Sequence, residues 1–319
     1  MSEPSSLDPL LPTKIIHQFP LPTWIENLAI RSNGNILVTL LTTPELYLID
    51  PLSPTNPTLV ANFPEVLGLT GIIEVQPDIF YVAGGNFNLS SFANEAGSYK
   101  IWEVDMRSFD ANSPAKIRKV ADLSAVAFPN GLELLPRDKG LILIADSEIG
   151  AVWKLDVNDG SHQIAVKVEE MEPPPPPGMP IGINGVKIRD GYLYWTNTGK
   201  KIFCRGRIDE NAKAVDDVEV LETETLVDDF VFDNEGNTWL AQNVMNVIGV
   251  RKAGGGIVVV AGVANQLTVA GGTSCQFGRM DGDKHVLYVA TTGGMAAPIN
   301  GEVMEGGKVV AIDTTLSNL

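Results

Sequence analysis

The chain has 319 residues, 44% of them apolar, with 31 Gly and 21 Pro spread along its length, enough for a large core and for many short strands joined by turns. Against 39 acidic residues stand only 23 basic ones, a net charge of −16, which repels phosphate backbones and anionic membranes and argues against nucleic acid as a partner. No apolar run reaches the length of a membrane span, and Cys204 and Cys275 are too few for a metal framework and read as buried thiols.

Residues 1–14 are polar and Pro-rich and lack the apolar centre of a secretion signal. The chain as it stands is expected to be cytoplasmic, with secretion the alternative if a leader has been trimmed. The sequon Asn88-Leu89-Ser90 carries little weight without such a signal. The first predicted strand is Thr13–Phe19, and its partner lies at the other end of the chain.

A unit then recurs six times. It opens on a polar residue and a short strand, turns at Asp, Asn or Gly, continues through a strongly apolar strand, and has a third strand that usually ends in Asp. The first copy opens at Glu26-Asn27, turns at Ser32–Asn35 and runs through Ile36–Thr39 to Leu46–Asp50. The second opens at Thr70-Gly71, turns at Gln76–Asp78 and has its third strand near Tyr99–Asp105. The third opens at Asn130-Gly131, turns at Arg137–Gly140 and runs through Leu141–Ile144 to Val152–Asp156. The fourth opens at Asn184-Gly185 and turns at Arg189–Gly191, the fifth opens at Asp228-Asp229 and turns at Asn234–Gly236, and the sixth opens at Thr273-Ser274 and turns at Asp281–Asp283.

The openings lie 44, 60, 54, 44 and 45 residues apart, the period of a four-stranded propeller blade with insertions in blades two and three. Fourth strands fit at Thr58–Val60, Lys116–Val120, Ile164–Val168, Val218–Leu221 and Ile257–Val260. Only six residues follow Asp313, so blade six needs Thr13–Phe19 as its outer strand, which closes the ring and removes an open edge. The predicted fold is a single all-β, six-bladed β-propeller over residues 1–319 with negligible helix.

In such a ring the six opening residues, Glu26, Thr70, Asn130, Asn184, Asp228 and Thr273, converge on one mouth of the axial channel. All are polar, which fits a small-molecule pocket or, alternatively, a water-filled structural channel. Loops that enter the inner strands border the mouth, among them Glu172–Pro180 with prolines at 173–177, a stiff wall or a spacer. Loops between second and third strands do so too. Two of these, Gly84–Gly97 and Gly293–Gly307, are long and Gly-rich and read as lids. Phe87, Phe92, Met245 and Met295 bring apolar surface to the rim, unless they are simply buried under the loops. The histidines, His17, His162 and His285, fall on outer strands or remote turns. No nucleophile elbow, Cys/His pair or zinc motif is present, and Ala253–Gly256 precedes no helix and is a hairpin turn. What remains is oxygen chemistry: Glu26, Asn184 and Asp228, with Asn130 beside them, suit Ca2+ or a similar hard divalent ion.

At these residues the sequence resembles the senescence marker protein/gluconolactonase family of six-bladed propellers, over essentially the whole chain. The resemblance implies that Glu26, Asn184 and Asp228 hold a divalent metal, that Asn130 binds substrate, and that Asp228 is the general base of lactone hydrolysis. Two departures stand out: Phe128 replaces the Arg that grips sugar hydroxyls, and Asp229 replaces the Gly after the blade-five Asp. An aromatic in place of the Arg argues for a less polar substrate. Trp24–Gly34 and Val227–Phe230 are similar to a fungal subgroup of natural-product pathways that includes hetero-Diels–Alderases joining a tropolone quinone methide to a humulene-type olefin. That resemblance implies a pericyclase that requires no cofactor. In it Asn130, Asn184 and Thr273 would hydrogen-bond the tropolone oxygens, Trp24, Phe87 and Phe128 would stack on the ring or olefin, and Thr70, Met245 and Met295 would line the pocket. The alternatives are a metal-dependent lactonase and a non-enzymatic binding propeller, the last disfavoured by the lack of WD-type repeat motifs. The partner is a small molecule in the first two readings; the oligomeric state is not legible.

Overall fold

Short alternating segments punctuated by tight turns pair with their chain neighbours as antiparallel ladders, and here they assemble into six sheets of four strands each. The computed structural model describes residues 10–316 apart from 54–55, 111 and 136–139. Blade one is Ile25–Ile30, Ile36–Leu40, Glu45–Ile49 and Thr58–Asn62, and blade two is Gly68–Gln76, Ile79–Gly85, Lys100–Asp105 and Lys116–Asp122. Blade three is Pro129–Leu134, Leu141–Asp146, Ala151–Asp156 and His162–Val166, and blade four is Ile183–Arg189, Tyr192–Asn197, Ile202–Arg207 and Glu219–Glu222. Blade five is Phe230–Phe232, Thr238–Gln242, Val247–Arg251 and Ile257–Gly262. Blade six takes Gly272–Phe277, Val286–Thr291 and Lys308–Asp313 from the end of the chain, and its outer strand is Thr13–Gln18. The register of that seam runs from Thr13 opposite Ile312 to Gln18 opposite Lys308, so the expected closure is present.

The first strand of every blade touches the first strands of the blades on either side, which makes it the wall of the axial channel. Among the described residues helix is limited to three single 3-10 turns, Glu169–Met171, Asn243–Met245 and Thr314–Leu316, and no helix is long and apolar enough to cross a membrane. The Asn-Gly and Glu-Gly turns rely on Gly34 and Gly236 at φ of +88° and +90°, a conformation that costs a glycine nothing. Of the blade-three turn expected at Arg137–Gly140, residues 137–139 lie outside the described residues.

The core lies between blades. Phe63, Phe80 and Trp102 pack blades one and two together, and Tyr99, Phe128 and Trp153 pack blades two and three. Trp195, Cys204 and Leu193 fill the junction of blades three and four, while Cys275 lies with Trp239 between blades five and six. Both thiols are free and buried. Burial pushes the Cys204 thiol up to about 12, so it is inert.

Candidate active site at the axial mouth

In blades two, three and four the second position of the repeat is glycine, and it lets the inner strands approach closely. A Cβ on Gly71 would stand 2.2 Å from the Asn130 carbonyl oxygen, one on Gly131 2.6 Å from that of Asn184, and one on Gly185 3.0 Å from that of Asp228. Each glycine therefore lets the next blade's opening residue press its backbone against the strand. Blades five, six and one carry Asp229, Ser274 and Asn27 there instead; Asp229 Oδ1 accepts from the Phe230 N–H at 2.8 Å and pairs with the Lys187 ammonium at 3.2 Å. The Ser274 hydroxyl lies 2.8 Å from Asp229 Oδ2 and 3.1 Å from Asn27 Oδ1. A buried polar belt thus runs through the channel from blade one, by way of six and five, to blade four, and Glu133 of blade three joins it through the field of Lys187. Burial works against the Lys187 ammonium, yet the charges of Asp229 and Glu133 hold its pKa above the ordinary lysine value.

Above this belt, Asp228 sits at the mouth. Its Oδ1 accepts from Asn184 Nδ2 at 2.8 Å and its Oδ2 from Asn243 Nδ2 at 2.7 Å. Asn184 Nδ2 also donates to the Thr198 hydroxyl at 3.0 Å. Both amides must face this way, since the reverse would set two acceptors against each other. Burial pushes the Asp228 carboxyl up, the neighbouring Asp229 adds to the effect, and the two amide donors oppose it. Glu26 is also pushed up, first by burial and then by the charge of Asp228, against the indole N–H of Trp24, which donates to Oε2 at 2.6 Å.

The other candidates differ in what they present. No hydrogen bond from the described residues engages the side chain of Asn130, a buried residue at the opening of blade three, so its amide N–H groups are unspent. Asn184 has spent its N–H groups inward. Thr273 donates to the Ile25 carbonyl at 2.8 Å, with that of Ala290 at 3.2 Å, and is buried. These two do not offer the substrate the donors expected of them: Asn184 presents only its Oδ1, and Thr273 ties blade six to blade one. The Thr70 hydroxyl is sealed in the wall without a partner. Met245 is exposed on the rim and Met295 half-buried.

Aromatic residues fill the blade-one to blade-three side. Phe87 stacks on Phe128 at 5.4 Å between centroids, with the planes 7° apart. Phe92 meets Phe87 edge-on at 5.9 Å and Trp24 at 6.4 Å, and Tyr99 lies 6.1 Å from Phe128. The wall is held from behind by Asp146, whose carboxylate accepts the N–H groups of Ala127 and Phe128 at 2.9 and 3.1 Å and the Trp153 indole at 3.2 Å. The proline loop is fastened to blade four by Asn197, which donates to the carbonyls of Glu170 and Glu172, each at 2.9 Å.

Asp146, Asn243, Tyr99 and Lys187 are residues that sequence reasoning missed. The first two carried a signal, for each stands at or just past the end of a second strand, on the same mouth as the six openings. As expected, His17 and His162 lie on outer strands and His285 on a remote turn. A cleft of about 870 Å³ opens elsewhere, between Phe232, Asn234, Phe277 and His285. It is remote from the carboxylates, and its cations already face acids, Lys284 with Asp281 and Arg279 with Glu74. Among the described residues no three His, Cys, Asp or Glu side chains gather as a metal cluster. Glu26, Asn184 and Asp228 fit a hard divalent ion by chemistry, being oxygen donors only, with two buried carboxyls whose mutual repulsion a dication would relieve.

No protein-family model matches the chain. Two relatives bear the name "Putative hetero-Diels-Alderase". One, asR5 of Sarocladium schorii, is 30% identical over 353 residues, covering 98% of this chain and 86% of that protein. The other, from Phoma sp., is 32% identical over 308 residues, covering 88% of this chain and 86% of that protein. Among solved structures, a calcium-binding regucalcin from Agrobacterium tumefaciens superposes with a TM-score of 0.66 at 14% identity, covering 95% of this chain and 93% of its own. A luciferin-regenerating enzyme matches with a TM-score of 0.66 at 14% identity, covering 95% of each chain. The structures share the fold and the two sequence relatives share the lineage: the chain belongs to the hetero-Diels–Alderase family and is an enzyme on a six-bladed propeller.

Proposed function

We propose that this enzyme is a pericyclase that joins a tropolone quinone methide to a humulene-type olefin at the axial mouth. The observation that carries the reading is the division of the mouth into an aromatic half, Trp24, Phe87 and Phe128, and a polar half with a free Asn130 amide. In a hetero-Diels–Alder reaction a carbon–oxygen and a carbon–carbon bond form as the heterodiene and olefin electrons shift together. No atom leaves, and no proton must be moved by the protein. A nucleophile is therefore unnecessary, and holding two partners in a near-attack pose is worth up to ~7–11 kcal/mol of barrier. The aromatic half supplies flat apolar surface for the ring and the olefin. Asn130 Nδ2 donates to the carbonyl oxygen of the heterodiene, drawing electron density from it as the new bonds form.

If a divalent ion is bound, Glu26, Asn184 and Asp228 would hold it, and it would supply Lewis-acid polarisation of the same oxygen. The convergence of these three residues favours a second reading, a metal-dependent lactonase. The deciding assay generates the quinone methide in the presence of humulene and follows the adduct and its enantiomeric ratio. Lactone hydrolysis with and without chelator is run in parallel, together with metal analysis of the purified protein. The pericyclase reading expects accelerated, enantioselective coupling. Stoichiometric metal with chelator-sensitive lactone hydrolysis, and only background racemic coupling, would move the assignment to a hydrolase. Asp228→Asn separates the two as well: it abolishes hydrolysis but leaves coupling within about tenfold.

A further inference from the structure

We propose that Phe92 is a specificity-determining residue that sets how large an apolar partner the mouth accepts. The inference rests on the apolar-substrate reading above and adds the residue that defines the boundary of the apolar half. Phe92 lies at the tip of a short hairpin in which Phe87 pairs with Asn94 and Asn88 with Ala93. It has a φ of +48°, a left-handed conformation that a bulky side chain rarely adopts and that clusters at ligand clamps. The residue is 54% exposed, so burial in a core does not account for its placement. What it touches is the site: Trp24 of blade one at 6.4 Å on one side and Phe87 at 5.9 Å on the other. Without Phe92 the aromatic wall falls into two pieces, Trp24 alone and the Phe87–Phe128 stack.

The hairpin is built to hold that tip in place. Asn88 Oδ1 accepts the N–H groups of Ser90 and Ser91 at 2.9 and 3.1 Å, which stiffens the turn. Asn86 Nδ2 donates to Glu95 at 2.8 Å across the base, and the Asn86 N–H donates to the Ser98 hydroxyl at 2.9 Å. Asn94 pins the returning strand in two directions, donating to Glu148 of blade three at 3.1 Å and accepting from the Tyr99 hydroxyl at 2.7 Å. A segment that leaves blade two is thus tied to blade three and brings its tip to blade one, across the apolar half of the mouth. The ring closes the far end of the surface on which an apolar chain would lie, and its position limits the length of that chain.

The test is equilibrium dialysis of the full chain against limonene, humulene and cembrene, a mono-, a sesqui- and a diterpene olefin, with gas-chromatographic readout. Wild type is compared with Phe92→Gly, which removes the ring and relieves the left-handed strain, and with Phe92→Leu, which keeps apolar bulk. Thermal midpoints confirm folding. Wild type is expected to favour humulene over cembrene; Phe92→Gly should shift that ratio toward cembrene by about tenfold or more, and Phe92→Leu should restore part of it. Equal ratios in all three proteins overturn the proposal while leaving the apolar-substrate reading in place. Failure of wild type to bind any olefin overturns both, since Phe92 would then border no apolar site.

Discussion

Gly71, Gly131 and Gly185 each follow a polar residue that opens an inner strand, and each receives the backbone of the next blade. The spacing leaves no room for a methyl group on Gly131, whose Cβ would lie 2.6 Å from a backbone oxygen and 3.1 Å from a backbone nitrogen. Gly131→Ala is expected to destabilise the fold by about 1–3 kcal/mol, seen as a lowered thermal midpoint, and to weaken coupling because Asn184 is displaced with its strand. An unchanged midpoint would mean that the strands can part without cost. Phe128 makes a second residue-scale prediction. It is buried, stacked on Phe87, and its N–H is held by Asp146. In Phe128→Arg a guanidinium replaces the ring in an apolar wall, a costly burial without a partner. Coupling should fall at least about tenfold, while affinity for sugar lactones rises. Unchanged turnover and stereoselectivity would show that Phe128 does not border the substrate.

At the scale of strands and loops, the outer strand of blade six is the critical element. Thr13–Gln18 covers the edge of Lys308–Asp313, burying Ile16 against Val309 and Ala311. Deleting residues 1–18 should leave an unpaired apolar edge, lower the thermal midpoint and produce oligomers on size-exclusion chromatography. A monomer of undiminished stability would show that the seam is dispensable. This strand and the six blades were legible because the turn chemistry repeats: Asn33-Gly34, Asp190-Gly191 and Glu235-Gly236 each end an inner strand, and Gly34, Gly191 and Gly236 all have positive φ. The six opening residues were legible for the same reason, as residues at one register position, but not what each side chain does there. The direction of each hydrogen bond was not. Whether Asn184 shows the substrate its nitrogen or its oxygen depends on Asp228, 44 positions later and one blade over. Nor did the pattern reveal that Asn243, just past the second strand of blade five, grips the other oxygen of Asp228. The Phe87–Phe128 stack joins the hairpin between the second and third strands of blade two to a blade-entry loop, and no periodicity relates them.

For the whole molecule, the channel is an electrostatic column inside a protein of net charge −16. Glu133 lies within it, and burial, opposed by the Lys187 charge, pushes its carboxyl from 4.5 up to about 7. A carboxyl raised on folding adds stability below its unfolded pKa and loses it as pH climbs through the folded value. Glu133→Gln should therefore match wild type near pH ~5 and exceed it in thermal midpoint near pH ~8.5. A stability difference independent of pH would show that Glu133 is ionised throughout.

The seam also sets the timing of folding. Gln18 hydrogen-bonds a carbonyl 288 residues further along, that of Gly306, so Thr13–Gln18 must wait for a strand made much later. At ribosomal speed that wait is roughly half a minute, during which Thr13–Gln18 emerges with its backbone groups unpaired while the inner strands of blades one to five can already stack. The propeller is therefore closed by a clasp: the ring is complete only when Thr13–Gln18 and Lys308–Asp313 have both been made and have paired. A nascent chain stalled before Lys308 would carry the aromatic wall and all four channel carboxylates, Glu26, Glu133, Asp228 and Asp229, on an open arc, with no closed channel for them to guard.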